Sequence, residues 1–311
     1  MKVIKAGAKI PADVQGAFIT VGNFDGVHLG HRQILQELIR EAARAGRKAL
    51  LVTFDPHPKM ILHPERRPFY LLTTLEEKLI LLEELGLDAV ILISFSLDYA
   101  GTTAESFIVD FLWRDLQVRK LFIGHDYKFG RKKEGNADVL TAYGKRLGFE
   151  VSVIDAVAAG DNIVSSTKIR ESILAGDVRK ATALLGRPYN VSGAVVKGKG
   201  RGASLGFPTA NIEPEKELLP ARGVYAALVK LAGASYRAVL NIGINPTFGE
   251  SSLTLEVHLL NFHGDLYGKL LDVQFIERLR EERKFSGPEE LIGQMIKDRE
   301  AAQEILVSLS A

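Results

Sequence analysis

The sequence predicts an α/β parallel-sheet domain followed by a small antiparallel β-barrel domain with a C-terminal helix. Three observations predict it. Apolar, β-branched runs alternate with helical patterns through the first half. Beyond Gly186-Arg187-Pro188 the pattern changes to short alternating runs separated by turns rich in Gly, Pro and Asn. One amphipathic helix then closes the chain. At 311 residues there is room for two cores, and the change of rhythm divides the chain into residues 1–186 and 187–311.

In the first half the strand candidates run from Phe18 to Val21, Ala49 to Phe54, Ala89 to Phe95, Leu121 to Ile123 and Glu150 to Ile154. Helix candidates lie between them at Leu29 to Ala45, Leu75 to Leu85, Ala104 to Trp113 and Ala137 to Leu147. Thr73 with Glu76, and Thr102 with Glu105, have capping-box spacing. Strands and helices alternating at these lengths imply a parallel sheet covered on both faces, with ligands beyond the carboxyl ends of its strands. Two further helix candidates, Ile169 to Leu174 and Val178 to Leu184, lead into the break.

The barrel candidates are Asn190 to Val196, Gly223 to Leu231, Tyr236 to Ile242, Leu253 to Leu260 and Leu271 to Phe275. The last helix, Pro288 to Leu306, has Ser286 and Glu289 at capping-box spacing. Its stripe of Leu291, Ile292, Met295 and Ile296 is read as packing against the barrel.

Composition narrows the function. Lys and Arg number 40 against 38 Asp and Glu, and the balance is near even on both sides of residue 186, so neither half has the basic excess of a nucleic-acid binder. No apolar run reaches the roughly 20 residues of a membrane span, and the segment from Met1 to Gly7 lacks the apolar core of a signal peptide; a cytoplasmic protein with no membrane partner is expected. Without cysteine there is no disulfide and no thiolate metal site.

The stretch Thr20-Val-Gly-Asn-Phe-Asp-Gly-Val-His-Leu-Gly-His31 sits where the first strand hands over to a helix. Gly22, Gly26 and Gly30 let the backbone turn and approach a ligand, and a helix start aims free N–H groups at an anion. His28 and His31 fall on one side of its first turn, where two imidazoles can donate to phosphoryl oxygens. Either histidine alone reads equally well as a surface or capping residue, and Asn23, Asp25 and the glycines tip the balance.

Other candidates gather at the same edge. Thr53-Phe-Asp-Pro-His-Pro58 presents His57 between two prolines, either to a ligand or as a rigid turn. Gly124-His-Asp-Tyr-Lys-Phe-Gly130 precedes the basic Arg131-Lys132-Lys133, a solvated loop or a run that steers nucleotides. Ser165-Ser-Thr-Lys-Ile-Arg170 reads as another helix start, either an ordinary N-cap or a second anion site.

In the barrel, the glycine-dense, basic stretch from Lys197 to Asn211 enters a strand on which Thr209 and Asn211 point the same way. Such a loop folds over phosphate or is a plain flexible hairpin. Two neutral oxygens suit a magnesium ion that arrives on ATP. Glu256, in Leu255-Glu-Val-His-Leu259, alternates with apolar residues and is a candidate general base, although exposed strand carboxylates are common.

The string from Thr20 to His31 resembles the nucleotidyltransferase superfamily signature, in which an HxGH element binds ATP phosphates. Across nearly the whole chain the motifs resemble those of bacterial bifunctional riboflavin kinase/FAD synthetases. They are GNFDGVHLGH, TFDPHP, SSTKIR, GFPTANI, the segment Asn241 to Gly249, LEVHLL, Asp265 to Gly268 and Leu279 to Phe285. The resemblance implies a Rossmann-like FMN adenylyltransferase domain and a riboflavin kinase barrel. Riboflavin and ATP would give FMN with Mg²⁺ on the nucleotide, and FMN with a second ATP would give FAD and pyrophosphate.

Residue by residue it implies Glu256 as kinase base, Thr209 and Asn211 as metal ligands, and Gly198, Arg201, Gly202, Gly206, Phe207 and Pro208 around ATP in the barrel, with Arg280 on the flavin side. In the first domain His28 and His31 would be catalytic. Gly22, Asn23, Phe24, Asp25, Gly26, Gly30, Ser166, Thr167 and Arg170 would bind ATP, and His57, Asp126 and Phe129 would lie toward FMN. Ala203, Asn245 and Tyr127 depart from the family's usual residues. Two rivals remain: an adenylyltransferase for another phosphorylated metabolite with a regulatory barrel, and a barrel that only binds oligonucleotide or flavin.

Overall fold

The computed structural model describes the chain except residues 6–9, 67, 161, 199–205, 248–249 and 310–311, and the side chains of 162, 245–247 and 250–252. Arg201, Gly202 and Ala203 therefore lie outside the described residues, as does the side chain of Asn245. Packing separates two units, Met1–Phe69 with Thr73–Ser165, and Tyr70–Leu72 with Ser166–Ala311. The helices between Ser166 and Gly186 thus belong with the barrel unit.

The first unit holds a six-stranded parallel sheet of β1 (Lys2–Lys5), β2 (Phe18–Val21), β3 (Ala49–Asp55), β4 (Ala89–Ser94), β5 (Lys120–Gly124) and β6 (Glu150–Ile154). Their order is β1-β4-β3-β2-β5-β6. Helices α1 (Leu29–Arg44), α2 (Pro58–Leu62), α3 (Leu75–Glu84), α4 (Leu97–Ala100), α5 (Ala104–Ser106) and α6 (Ala137–Leu147) connect the strands. Ile19, Val21, Leu50, Val52 and Ile91 fill the core on one face of the sheet. Leu51, Val90 and Phe122 meet Leu35 and Leu38 of α1 on the other. This period-two division is why the strands read as unbroken apolar runs. From β4 to β6 the strand order reverses direction between β2 and β5, and the crevice beyond their carboxyl ends is where such sheets bind ligands.

Several local expectations shift. The capping box of α3 is Thr74 with Glu77, not Thr73 with Glu76, because the Thr73 hydroxyl accepts the Gly26 N–H at 3.1 Å. Thr103 rather than Thr102 caps α5, taking the Ser106 N–H. The helix expected from Ala104 to Trp113 continues past Ser106 as a wider π-type segment, Phe107–Asp115. Strand β1 was unforeseen because only Ile4 in it is buried. A two-stranded hairpin, β7 (Ala158–Ala159) with β8 (Asn162–Ile163), was too short for any periodic signal.

In the second unit α7 (Ser166–Leu174) and α8 (Val178–Leu185) precede six antiparallel strands. These are β9 (Tyr189–Val196), β10 (Ala210–Pro214), β11 (Gly223–Leu231), β12 (Ala234–Thr247), β13 (Glu250–Leu259) and β14 (Leu270–Arg280). They form a closed barrel in the order β10-β13-β12-β11-β14-β9, with β9 pairing back onto β10. Val191, Tyr225, Val229, Leu240, Val257 and Phe275 are buried within it.

The last helix, α9 (Pro288–Ser308), covers part of the outer wall. Its packing stripe is Ala302, Ile305 and Leu306 against Ala226, Leu228, Val239, Ile276 and Leu279. This corrects the expected stripe: Leu291, Ile292 and Met295 are half-buried and Ile296 is exposed. Its N-cap is Gly287, and Ser286 instead bonds Glu290 through both its N–H and its hydroxyl at 2.8 Å. Pro288 at the first helical position requires an extended residue before it, which moves the start one residue along.

Candidate active sites

Beyond β2 the backbone folds tightly, with Phe24, Gly26 and Val27 at φ of 47°, 85° and 39°. Glycine adopts this region freely, but a β-branched residue there is strained, and the strain sits immediately before His28. His28 caps α1, its Nδ1 accepting the His31 N–H at 3.3 Å, which places the proton of the neutral ring on Nε2. The two imidazoles stack with centroids 3.6 Å apart at 14°, and Phe24 lies 4.6 Å from His31. Burial, reinforced by His28 and Lys78, holds His31 well below the usual histidine range. Asn23 Oδ1 and His31 Nδ1 are buried with no hydrogen-bond partner among the described residues, which leaves two polar atoms able to take a ligand's hydrogen bonds.

The loop is braced from behind. Buried Asp25 accepts the Thr73 N–H at 3.2 Å, and the Asn23 carbonyl accepts from Thr53 Oγ1 at 3.2 Å and Lys78 Nζ at 3.0 Å. Sequence reasoning missed Thr53 and Lys78. Within α3 the lysine reads as one more solvent-facing charge, and only the long-range fold reveals its burial.

The other expected residues divide. His57 caps α2 by accepting the Lys59 N–H at 3.2 Å, and its ring stacks 4.6 Å from Phe69. Phe129 is a core residue between Phe107 and Tyr127, so close to Gly135 that a Cβ there would lie 2.5 Å from its ring. Asp126 is exposed in the loop after β5. Ser166, Thr167 and Arg170 open α7 in the second unit, where Arg170 Nε donates to the Tyr70 carbonyl at 2.6 Å.

In the barrel, register builds the second site. Glu256 on β13 is the cross-strand partner of Asn211 on β10 and of Asn241 on β12. Leu255 and Val257 point inward, so this row of carboxamide, carboxylate and carboxamide lies on the outer face. Asn241 was not singled out from sequence, although its alternation with Leu240 and Ile242 is the same signal that marked Glu256. A Cβ on Gly198 would come within 1.9 Å of Asn211 Nδ2, so the missing side chain leaves room for that carboxamide. Thr209 is half-buried just before β10, and His258 Nδ1 bonds the Pro208 carbonyl at 2.8 Å while its ring meets buried Phe207 edge to face. Gly206 is exposed at φ 84°. Arg280 is committed elsewhere, with Nε and Nη2 on Asp298 of α9 at 2.8–3.1 Å.

Comparison with known proteins agrees with this division. The FAD synthetase family profile matches residues 10–168 and the riboflavin kinase profile matches residues 185–306, which defines a two-domain flavin transferase. Bifunctional riboflavin kinase/FMN adenylyltransferases are 35% identical in Listeria monocytogenes over 94% of this chain and 93% of the relative. The Escherichia coli protein of the same description is 36% identical over 94% of each chain, and that of Haemophilus influenzae is 38% identical over 93% and 94%. The chain belongs to this bifunctional riboflavin kinase/FMN adenylyltransferase family. A crystal structure from Streptococcus pneumoniae, described as a macrolide-efflux protein, superposes with a TM-score of 0.89 at 30% identity over 97% of this chain and 99% of its own. Among the described residues here, no helix is long and apolar enough to cross a membrane.

Proposed function

We propose that the barrel unit phosphorylates riboflavin and that the parallel-sheet unit joins the resulting FMN to AMP. In the barrel, Glu256 takes the proton of the terminal ribityl hydroxyl as that oxygen attacks the γ-phosphorus of ATP and ADP departs. Asn211 and Asn241 are the cross-strand neighbours of Glu256 on either side. The Thr209 hydroxyl and the Asn211 carboxamide oxygen are hard neutral donors that fit Mg²⁺ carried on ATP, and the absence of a side chain on Gly198 leaves that carboxamide its room. Bound there, Mg²⁺ would neutralise charge on the transferring phosphates.

In the parallel-sheet unit the FMN phosphate attacks the α-phosphorus of a second ATP and pyrophosphate leaves. No protein bond forms, so the residues act by position and by donating to oxygens on which charge accumulates. His28 donates through Nε2, His31 stacks behind it, and the N–H groups of Leu29 and Gly30, the first two of α1, are left for the same anion.

The observation that carries the reading is the confinement of each catalytic set to one unit, His28 with His31 in the first and Thr209, Asn211 and Glu256 in the second. Incubation with riboflavin and Mg²⁺-ATP should yield FMN first and FAD after it. Glu256→Ala should abolish FMN formation while added FMN is still adenylylated, and His28→Ala should do the reverse. Loss of both activities in either folded variant refutes the two-site assignment, and adenylylation of another acceptor alone supports the rival enzyme.

A further inference from the structure

We propose that Lys78 is a positioning residue for adenylyl transfer: a buried cation on α3 that grips the Asn23 carbonyl and so fixes the loop from Asn23 to His31 in the shape that receives the triphosphate. The inference rests on the reading that His28 and His31 meet ATP. A lysine only 6% exposed is uncommon, and this one donates 3.0 Å to a backbone carbonyl whose residue also presents a buried, unpartnered Oδ1. Thr53 Oγ1 shares that carbonyl at 3.2 Å, so the peptide is held from β3 and from α3 at once. The start of α3 is fixed to the same loop, because Thr73 binds both Asp25 and Gly26 while Thr74 and Glu77 close the capping box.

The cation also acts on His31. Burial is the main reason that ring resists protonation, and His28 from the α1 cap and Lys78 from α3 add to it. Burial lowers the Lys78 ammonium, and the carboxylates of Asp25, in the loop, and Asp55, at the end of β3, counter that shift. Arriving triphosphate adds negative charge, which favours the ammonium form. A neutral isostere would therefore remove both the grip on Asn23 and the charge behind His31.

The test uses the full chain as Lys78→Met, Lys78→Arg and Thr53→Val. Lys78→Met should lower kcat for FMN adenylylation about tenfold to a hundredfold, the scale of a small misplacement at a reacting centre, with KM for FMN little changed. The His31 ring, followed by NMR, should titrate closer to the ordinary value of about 6.5. Lys78→Arg should restore much of the rate and return the titration toward wild type. Thr53→Val should slow the reaction without moving the titration, since it removes a neutral donor. An unmoved His31 titration in Lys78→Met, or kcat within twofold of wild type, overturns the inference. If Lys78→Met fails to fold, Lys78→Arg and Thr53→Val decide: two wild-type rates overturn it, and a slow Thr53→Val with a normal His31 titration supports it. His28→Ala is the control for the underlying reading: full adenylylation in that variant removes the reading itself, whereas its loss beside an unaffected Lys78→Met removes only the role of Lys78.

Discussion

Asp298→Ala should loosen the last helix from the barrel by about 3–4 kcal/mol. Asp298 is 5% exposed and receives Nε of Arg280 at 3.0 and 3.1 Å, Nη2 at 2.8 Å and Gln294 Nε2 at 2.7 Å. Breaking a buried ion pair from one side costs about 3–5 kcal/mol. The lower end applies here, because the Arg280 side chain is 20% exposed and keeps a bond to the Glu281 carbonyl at 3.0 Å. The lost Gln294 bond adds about 1 kcal/mol. Because the sole tryptophan, Trp113, lies in the first unit, its fluorescence does not report this helix, and amide hydrogen exchange along Pro288–Ser308 is the assay. Arg280→Met combined with Asp298→Leu should recover most of the loss, since an apolar pair leaves no buried charge. A double-mutant coupling below about 0.5 kcal/mol would refute the reasoning and return Arg280 to the flavin-side role that the family resemblance implies.

Two other outcomes follow from particular contacts. Gly198→Ala should raise KM for ATP in riboflavin phosphorylation and leave adenylylation of added FMN unchanged, because its Cβ displaces the Asn211 carboxamide; steady-state kinetics of both reactions check this. Stability of the first unit, read by Trp113 fluorescence in urea, should decline as pH falls below about 6.5. There the unfolded chain protonates His31 while the native chain, with its lowered pKa, does not, and the slope from this residue is at most about 1.4 kcal/mol per pH unit. His31→Phe should flatten that part of the profile, and an identical slope in both proteins contradicts it.

The elements that the sequence made legible are those whose own side chains carry the period. β2 falls on its expected residues because its apolar run is mostly buried, β6 because its β-branched residues alternate with Glu150 and Ser152, and α6 because Asn136 caps it and Gly148 ends it. The failures come from competition that local spacing cannot see. Two threonines and two glutamates at α3 offer two identical capping boxes, and the choice is made by Gly26, far back in the chain, which claims Thr73. The histidine pair is a candidate through its spacing, and Glu256 through alternation together with the family resemblance. Lys78 and Asn241 were not, since the burial of the first and the register of the second depend on partners brought in by other strands and helices. Arg280 shows the opposite limit, a cation at a promising position whose guanidinium is committed to a structural partner.

The three residues Tyr70–Leu72 bear on how such a chain can be recombined. They belong to the second unit although the sequence on both sides of them belongs to the first. Arg170 holds the Tyr70 carbonyl at 2.6 Å, and buried Lys216, its ammonium 4.7 Å from the centre of the Tyr189 ring, donates to the Leu72 carbonyl at 3.1 Å. No single cut therefore liberates the barrel with all of its parts. A fragment beginning at residue 187 forfeits the acceptor of an interior cation along with α7 and α8. A chimera spliced at that point inherits a barrel whose lysine was matched to another protein's Tyr70–Leu72 segment, so crossovers between relatives should succeed most often when that short segment travels with the kinase half.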